Sequence, residues 1–83
     1  MASVEERIKK VVSSVLSVPV EDVTLEASFA ADLGAESIQS VELVAAFEEE
    51  FDIDMDEDEA LQVQTVGAAV KYITKVMKQQ RKL

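Results

Sequence analysis

Val4, Ile8, Val11, Val12, Val15 and Leu16 recur at the three- and four-residue spacing of one helix face. Ser3 followed by Glu6 has the form of a capping box, so the first helix is predicted from about Ser3 to about Ser17. It stops there because Pro19 disfavours helical geometry at Val18 and has no N–H to donate. From Val18 to Glu36 neither a helical nor an alternating period holds, yet Val20, Val23, Leu25, Phe29 and Leu33 are spread through the segment like anchors. The pattern predicts a long connection packed onto the core. It ends in Asp32-Leu33-Gly34-Ala35-Glu36-Ser37, where Gly34 permits a tight turn and Ser37 can cap the next helix. Loops this long in compact domains are often functional.

The second helix continues to about Phe51 and carries two apolar stripes. At about 100° per residue, Leu43, Val44, Phe47 and Phe51 cluster on one side, the expected core face. Ile38, Val41 and Ala45 form another stripe on roughly the opposite side, bordered by Glu42, Glu48 and Glu49. An apolar strip with an acidic rim has the makings of a docking surface, the strip supplying contact and the rim orientation. After the acidic stretch from Asp52 to Glu59, Ala60-Leu61 with Val63 predicts a short third helix or turn. Thr65 can cap a last helix whose stripe is Val66, Ala69, Val70, Ile73, Val76 and Met77. Lys75, Lys78, Arg81 and Lys82 lie near its C-terminal end, where cations suit the helix dipole. The expected fold is all-α: a four-helix bundle of three main helices and a short third one, with a long loop between the first and second. At 83 residues the chain has room for one domain, spanning 1–83.

Charge changes the picture of its partners. The formal net charge is -9, and from Glu21 to Glu59 there are fifteen acidic residues and no Lys or Arg. This excludes a nucleic-acid backbone as partner and favours basic protein surfaces. The charged, periodic start has neither the form of a signal peptide nor of a membrane span, which makes the cytoplasm or an organelle matrix the expected location; the high charge makes a monomer the expected state.

Enzyme chemistry has little to stand on. There is no Cys to supply a thiolate and no His to act as base, and Gly34-Ala35-Glu36-Ser37 is not a nucleophile elbow. Asp52-Ile53-Asp54-Met55-Asp56 opens like an EF-hand loop, but Glu57 stands where the glycine belongs and Val63 where the bidentate Glu belongs, so no metal site is expected. Helix physics alone reads Ser37 as an N-cap, with one further property: an anion on its Oγ would sit at the positive end of the helix.

The run Asp32-Leu33-Gly34-Ala35-Glu36-Ser37-Ile38, followed by Val41-Glu42-Leu43-Val44 and Phe47-Glu48-Glu49-Glu50-Phe51, resembles the acyl carrier protein motif around its modified serine. The likeness extends to Thr65-Val66-Gly67-Ala68-Ala69-Val70-Lys71-Tyr72-Ile73, which is similar to the start of that family's last helix. It implies that Ser37 receives 4′-phosphopantetheine from coenzyme A through a phosphopantetheinyl transferase. The arm then supplies the thiol this sequence lacks, for acyl thioesters in fatty acid or related synthesis. It further implies that Glu36, Ile38, Val41, Glu42, Ala45, Glu48 and Glu49 face acyl synthases and acyltransferases with basic docking patches. Phe47, Phe51, Ala69 and Ile73 are the expected lining of an acyl cleft. Glu36 stands where the family usually has Asp, Ile38 where it has Leu, Gln39 at a commonly acidic position, Ala45 where Met is usual, and Asp54-Met55-Asp56 where an apolar residue precedes Pro. These departures bear on which transferase and synthases accept the protein. Two other readings stay open: an unmodified acidic adaptor acting by docking alone, and a specialised polyketide, peptidyl or aminoacyl carrier.

Overall fold

Every helix begins at a residue able to tie down its free N–H groups. In the computed structural model, which describes residues 3–82, α1 spans Val4–Leu16, α2 Ser37–Phe51, α3 Glu57–Leu61 and α4 Val66–Gln79. Residues 1, 2 and 83 of the expected domain lie outside the described residues. The Ser3 Oγ accepts the Glu6 N–H at 3.1 Å and opens α1 as the capping box predicts, Asp56 Oδ1 accepts the Glu59 N–H at 3.0 Å, and Thr65 Oγ1 accepts the Ala68 N–H at 3.1 Å. Ser17 and Asp52 close α1 and α2 in the left-handed region, at φ 56° and 54°. The third helix starts earlier than expected, inside the acidic stretch. Asp56 caps it, and Glu57, Asp58 and Glu59 suit the positive end of its dipole.

α1 packs against both α2 and α4, and α2 against α3. The core is built from Ile8 and Val12 of α1, Leu43, Phe47 and Phe51 of α2, and Val66, Ala69, Ile73, Val76 and Met77 of α4, all buried. Arg7 fastens the start of α1 to the end of α2. Its Nε donates to Glu50 Oε2 at 2.8 Å, a terminal nitrogen donates to the Glu50 carbonyl at 2.7 Å, and the guanidinium stands 4.4 Å from the centre of the Phe51 ring. Both partners of the ion pair are about one-third exposed, so water screens it. Lysine cannot reproduce the fork and the stacking together. Arg7→Lys should therefore lower stability by about 1 kcal/mol; an unchanged urea midpoint would show that the clamp adds nothing.

The long connection is ordered by the core and by backbone bonds. Val23, Phe29 and Leu33 are buried as anchors, but Val20 and Leu25 are 42% and 39% exposed. A single 3₁₀ turn over Val20–Asp22 follows Pro19 and leaves Val20 outside, while the smaller Ala27 takes the buried place instead. Farther on, the loop is stitched to the entry of α4: Phe29 N–H donates to the Gln64 carbonyl at 2.9 Å, Val66 N–H to Ala27 at 3.1 Å and Gly67 N–H to Leu25 at 2.9 Å. Ser28 and Thr65 form an isolated antiparallel bridge within this stitch. A Cβ on Gly67 would meet the Leu25 carbonyl oxygen at 3.0 Å, which is why glycine suits this close approach.

Candidate functional site

The approach to α2 is a self-bonded turn. Asp32 Oδ2 accepts the Ser28 N–H at 2.7 Å, Leu33 N–H reaches back to the Ser28 carbonyl at 3.0 Å, and Ala35 N–H donates to Phe29 at 2.8 Å. Gly34, at φ +71°, makes the left-handed step before the helix, with open space where a Cβ would stand. Ser37 is not the cap expected from helix physics. Glu36 occupies that position with extended geometry, φ -87° and ψ 166°, and its N–H donates to Gln39 Oε1 at 3.0 Å. The cap shifts by one residue because the Gln39 side chain reaches back to the Glu36 backbone. This leaves Ser37 at the first helical position, exposed.

An exposed hydroxyl at that place fits a phosphate-linked group. The N–H groups of a first helical turn have no intrahelical acceptors and carry the positive end of the dipole; apart from Glu36 at the cap, no acidic side chain stands at the start of α2. Beside it, α2, α3, α4 and the loop at Phe29 enclose a cleft of about 360 Å³. Its apolar walls include Phe29, Leu43, Val44, Phe47, Met55, Leu61, Ala69 and Ile73. Ser40 stands on its wall as well, three residues and so about 4.5 Å along the axis from Ser37. The cleft thus reaches the serine end of α2.

Residues 6–73 match the family described as Phosphopantetheine attachment site. Acyl carrier proteins from two strains of Caulobacter vibrioides, NA1000 / CB15N and ATCC 19089 / CIP 103742 / CB 15, are each 54% identical over 74 residues, covering 89% of this chain and 95% of the relative. The chain belongs to the acyl carrier protein family. Membership assigns it a covalently held 4′-phosphopantetheine, and it places a phosphopantetheinyl transferase and acyl-handling enzymes among its partners. Proteins of this family carry rather than catalyse. Among the described residues no helix is long and apolar enough to cross a membrane.

The carrier's expected cleft residues divide. Phe47, Ala69 and Ile73 line the cavity, whereas Phe51 does not; one turn farther along α2, it is buried under Arg7. Met55, Val44 and Tyr72 line it unannounced. Tyr72 lies one position off the core stripe of its helix and donates its hydroxyl to Glu59 Oε1 at 3.2 Å, bridging α4 to α3. Burial first, and the hydrogen bond to Glu59 and its charge next, raise the Tyr72 phenol above the ordinary tyrosine value.

Along the outer strip, Ile38 is 68% and Val41 48% exposed, and Ala45, Glu36, Glu42 and Glu49 are exposed too. Glu48 differs. It is half-buried, and its Oε2 accepts the Met55 N–H at 2.9 Å, holding the loop before α3 against α2. Its carboxylate thus has an internal partner as well as a place on the rim. The described residues contain three ion pairs, Arg7–Glu50, Lys9–Glu5 and Lys82–Asp52, against seventeen acidic residues in the sequence. Self-repulsion at neutral pH should therefore be relieved by added salt or calcium. Thermal melts at low and raised salt test this: the melting temperature should rise, and an unchanged one would count against repulsion as a destabilising force.

Proposed function

We propose that this single-domain chain carries acyl groups as thioesters on a 4′-phosphopantetheine arm attached to Ser37, serving fatty acid or related acyl-chain synthesis in the cytoplasm. The observation that carries the reading is one exposed serine, within the family match, at the start of a helix whose inner face borders an apolar cleft. The bound group supplies a terminal thiol to a chain without cysteine. Ser37 supplies the oxygen that links it, and the first-turn N–H groups of α2 favour the linking anion. Phe47, Ala69 and Ile73, with Met55 and Leu43, exclude water from an acyl chain in the cleft.

Ile38, Val41 and Ala45 are the apolar centre of the docking face, and Glu36, Glu42 and Glu49 its acidic rim, with Glu48 at the border. Basic patches on synthases and acyltransferases are the complementary surface. Charge steering raises the encounter rate without a large interface, which suits a shuttle that must leave again. The protein acts as a monomer and is not itself an enzyme. With neither His nor Cys, it depends on partner enzymes for acid, base and nucleophile. The test is intact mass after incubation with coenzyme A and a broad-specificity phosphopantetheinyl transferase. One phosphopantetheine should be gained; no gain with any transferase would overturn the carrier reading in favour of an adaptor that works by docking alone.

A further inference from the structure

The peptide units on either side of Glu36 are held by the first turn of the helix they precede. On one side the Glu36 N–H donates to Gln39 Oε1 at 3.0 Å. On the other, the Glu36 carbonyl accepts the Ser40 N–H at 3.0 Å and the Ser40 hydroxyl at 3.4 Å. A backbone N–H can only donate, so the oxygen of the Gln39 amide must face it and the NH₂ end is left for other partners. Gln39 is half-buried, whereas Ser37 beside it is exposed. A side chain that reaches back to the cap from the third helical position constrains the residues between them without covering Ser37.

From this geometry, and resting on the reading of Ser37 as the attachment site, we propose that Gln39 is the positioning residue for Ser37: its amide oxygen fixes the Glu36 peptide and so the direction in which the serine hydroxyl is offered to the transferase. A carboxylate at this position could accept the same N–H, so the role belongs to the acceptor oxygen and not to the amide as such. On this account the residue acts by holding the backbone and is not itself a contact that a partner reads.

The experiment compares the full-length wild type with Gln39→Met, which has similar length and no amide oxygen, and Gln39→Glu, which keeps an acceptor. Two quantities are read: backbone amide exchange at Glu36 in the unmodified protein, and kcat and KM for modification by one transferase. Losing a capping bond worth about one factor of ten in local opening should speed exchange at Glu36 roughly fivefold to tenfold in Gln39→Met, with exchange across Leu43–Phe47 unchanged. kcat should fall several-fold at nearly constant KM, and Gln39→Glu should restore both exchange and kcat. Wild-type exchange in Gln39→Met, faster exchange with unaltered kcat, or a change confined to KM would each overturn the positioning role. A wild type that accepts no phosphopantetheine would overturn the carrier reading and this proposal together, and it is recognised from the wild-type control alone.

Discussion

Ser37→Ala should take up no phosphopantetheine under conditions that modify the wild type to completion, while folding as the wild type does. The two halves of that result come from separate observations. Capping at the start of α2 falls to Glu36 with Gln39, and Ser37 sits exposed at the first helical position, so its hydroxyl is not needed to end a run of free N–H groups. Alanine is the best helix former, and an exposed substitution of this kind shifts stability by about 0.5 kcal/mol or less. Intact mass and a urea melt on the same sample check both halves. Ser40→Ala is the informative control. It removes a hydroxyl one turn away, on the cleft wall, and should still gain the full mass increment. Uptake by Ser37→Ala would place the attachment elsewhere, and loss of the fold would mean that the serine holds the helix start after all.

The second large effect is on stability. Phe47 is 4% exposed, belongs to the core stripe of α2 and also forms part of the cleft wall. Phe47→Ala should cost about 3–5 kcal/mol, out of a total that for a domain of this size is roughly 4–12 kcal/mol. A substantial fraction of the variant should be unfolded without denaturant if the total lies at the low end. Phe47→Leu keeps most of the volume and should cost far less. Urea unfolding followed by circular dichroism measures both. A loss below about 1 kcal/mol for the alanine variant would mean that the cleft closes over the gap, so that the wall around Phe47 is soft and not a fixed part of the core.

Helical periodicity made the main helices legible because each buries one stripe, and Ser3 and Thr65 announced two of the caps. The outer strip of α2 was legible for the same reason: Ile38, Val41 and Ala45 cannot share a face with Leu43 and Phe47. What periodicity does not carry is the path of the chain between helices. Leu25 looks like an anchor, yet its side chain lies exposed while its carbonyl accepts the Gly67 N–H; Ala27, too small to draw notice, is buried two residues on. Phe51 lies in the core and not on the cavity wall, since a helical wheel gives a direction from the axis but not which neighbour occupies it at each level. Met55 and Glu48 meet through a backbone N–H, a contact that no residue pattern encodes. Ser37 was read as a cap because serine favours that place, and the competing reach of Gln39 moved the cap back by one.

The stitch between the long loop and the entry of α4 also bears on the order in which the molecule comes together. Phe29, which shapes the last turn before α2, is bonded to Gln64, and Ala27 and Leu25 are bonded to Val66 and Gly67. Pairings this distant in sequence repay their closure entropy only once the intervening chain is arranged. A chain emerging from the ribosome has made α1, the loop and α2 before the residues that hold the loop exist outside the exit tunnel. Its serine is present, but the scaffold that aims it is not. On the reading of Ser37 as the attachment site, modification should therefore follow completion of the fold, and partly synthesised chains should be poor substrates for the transferase.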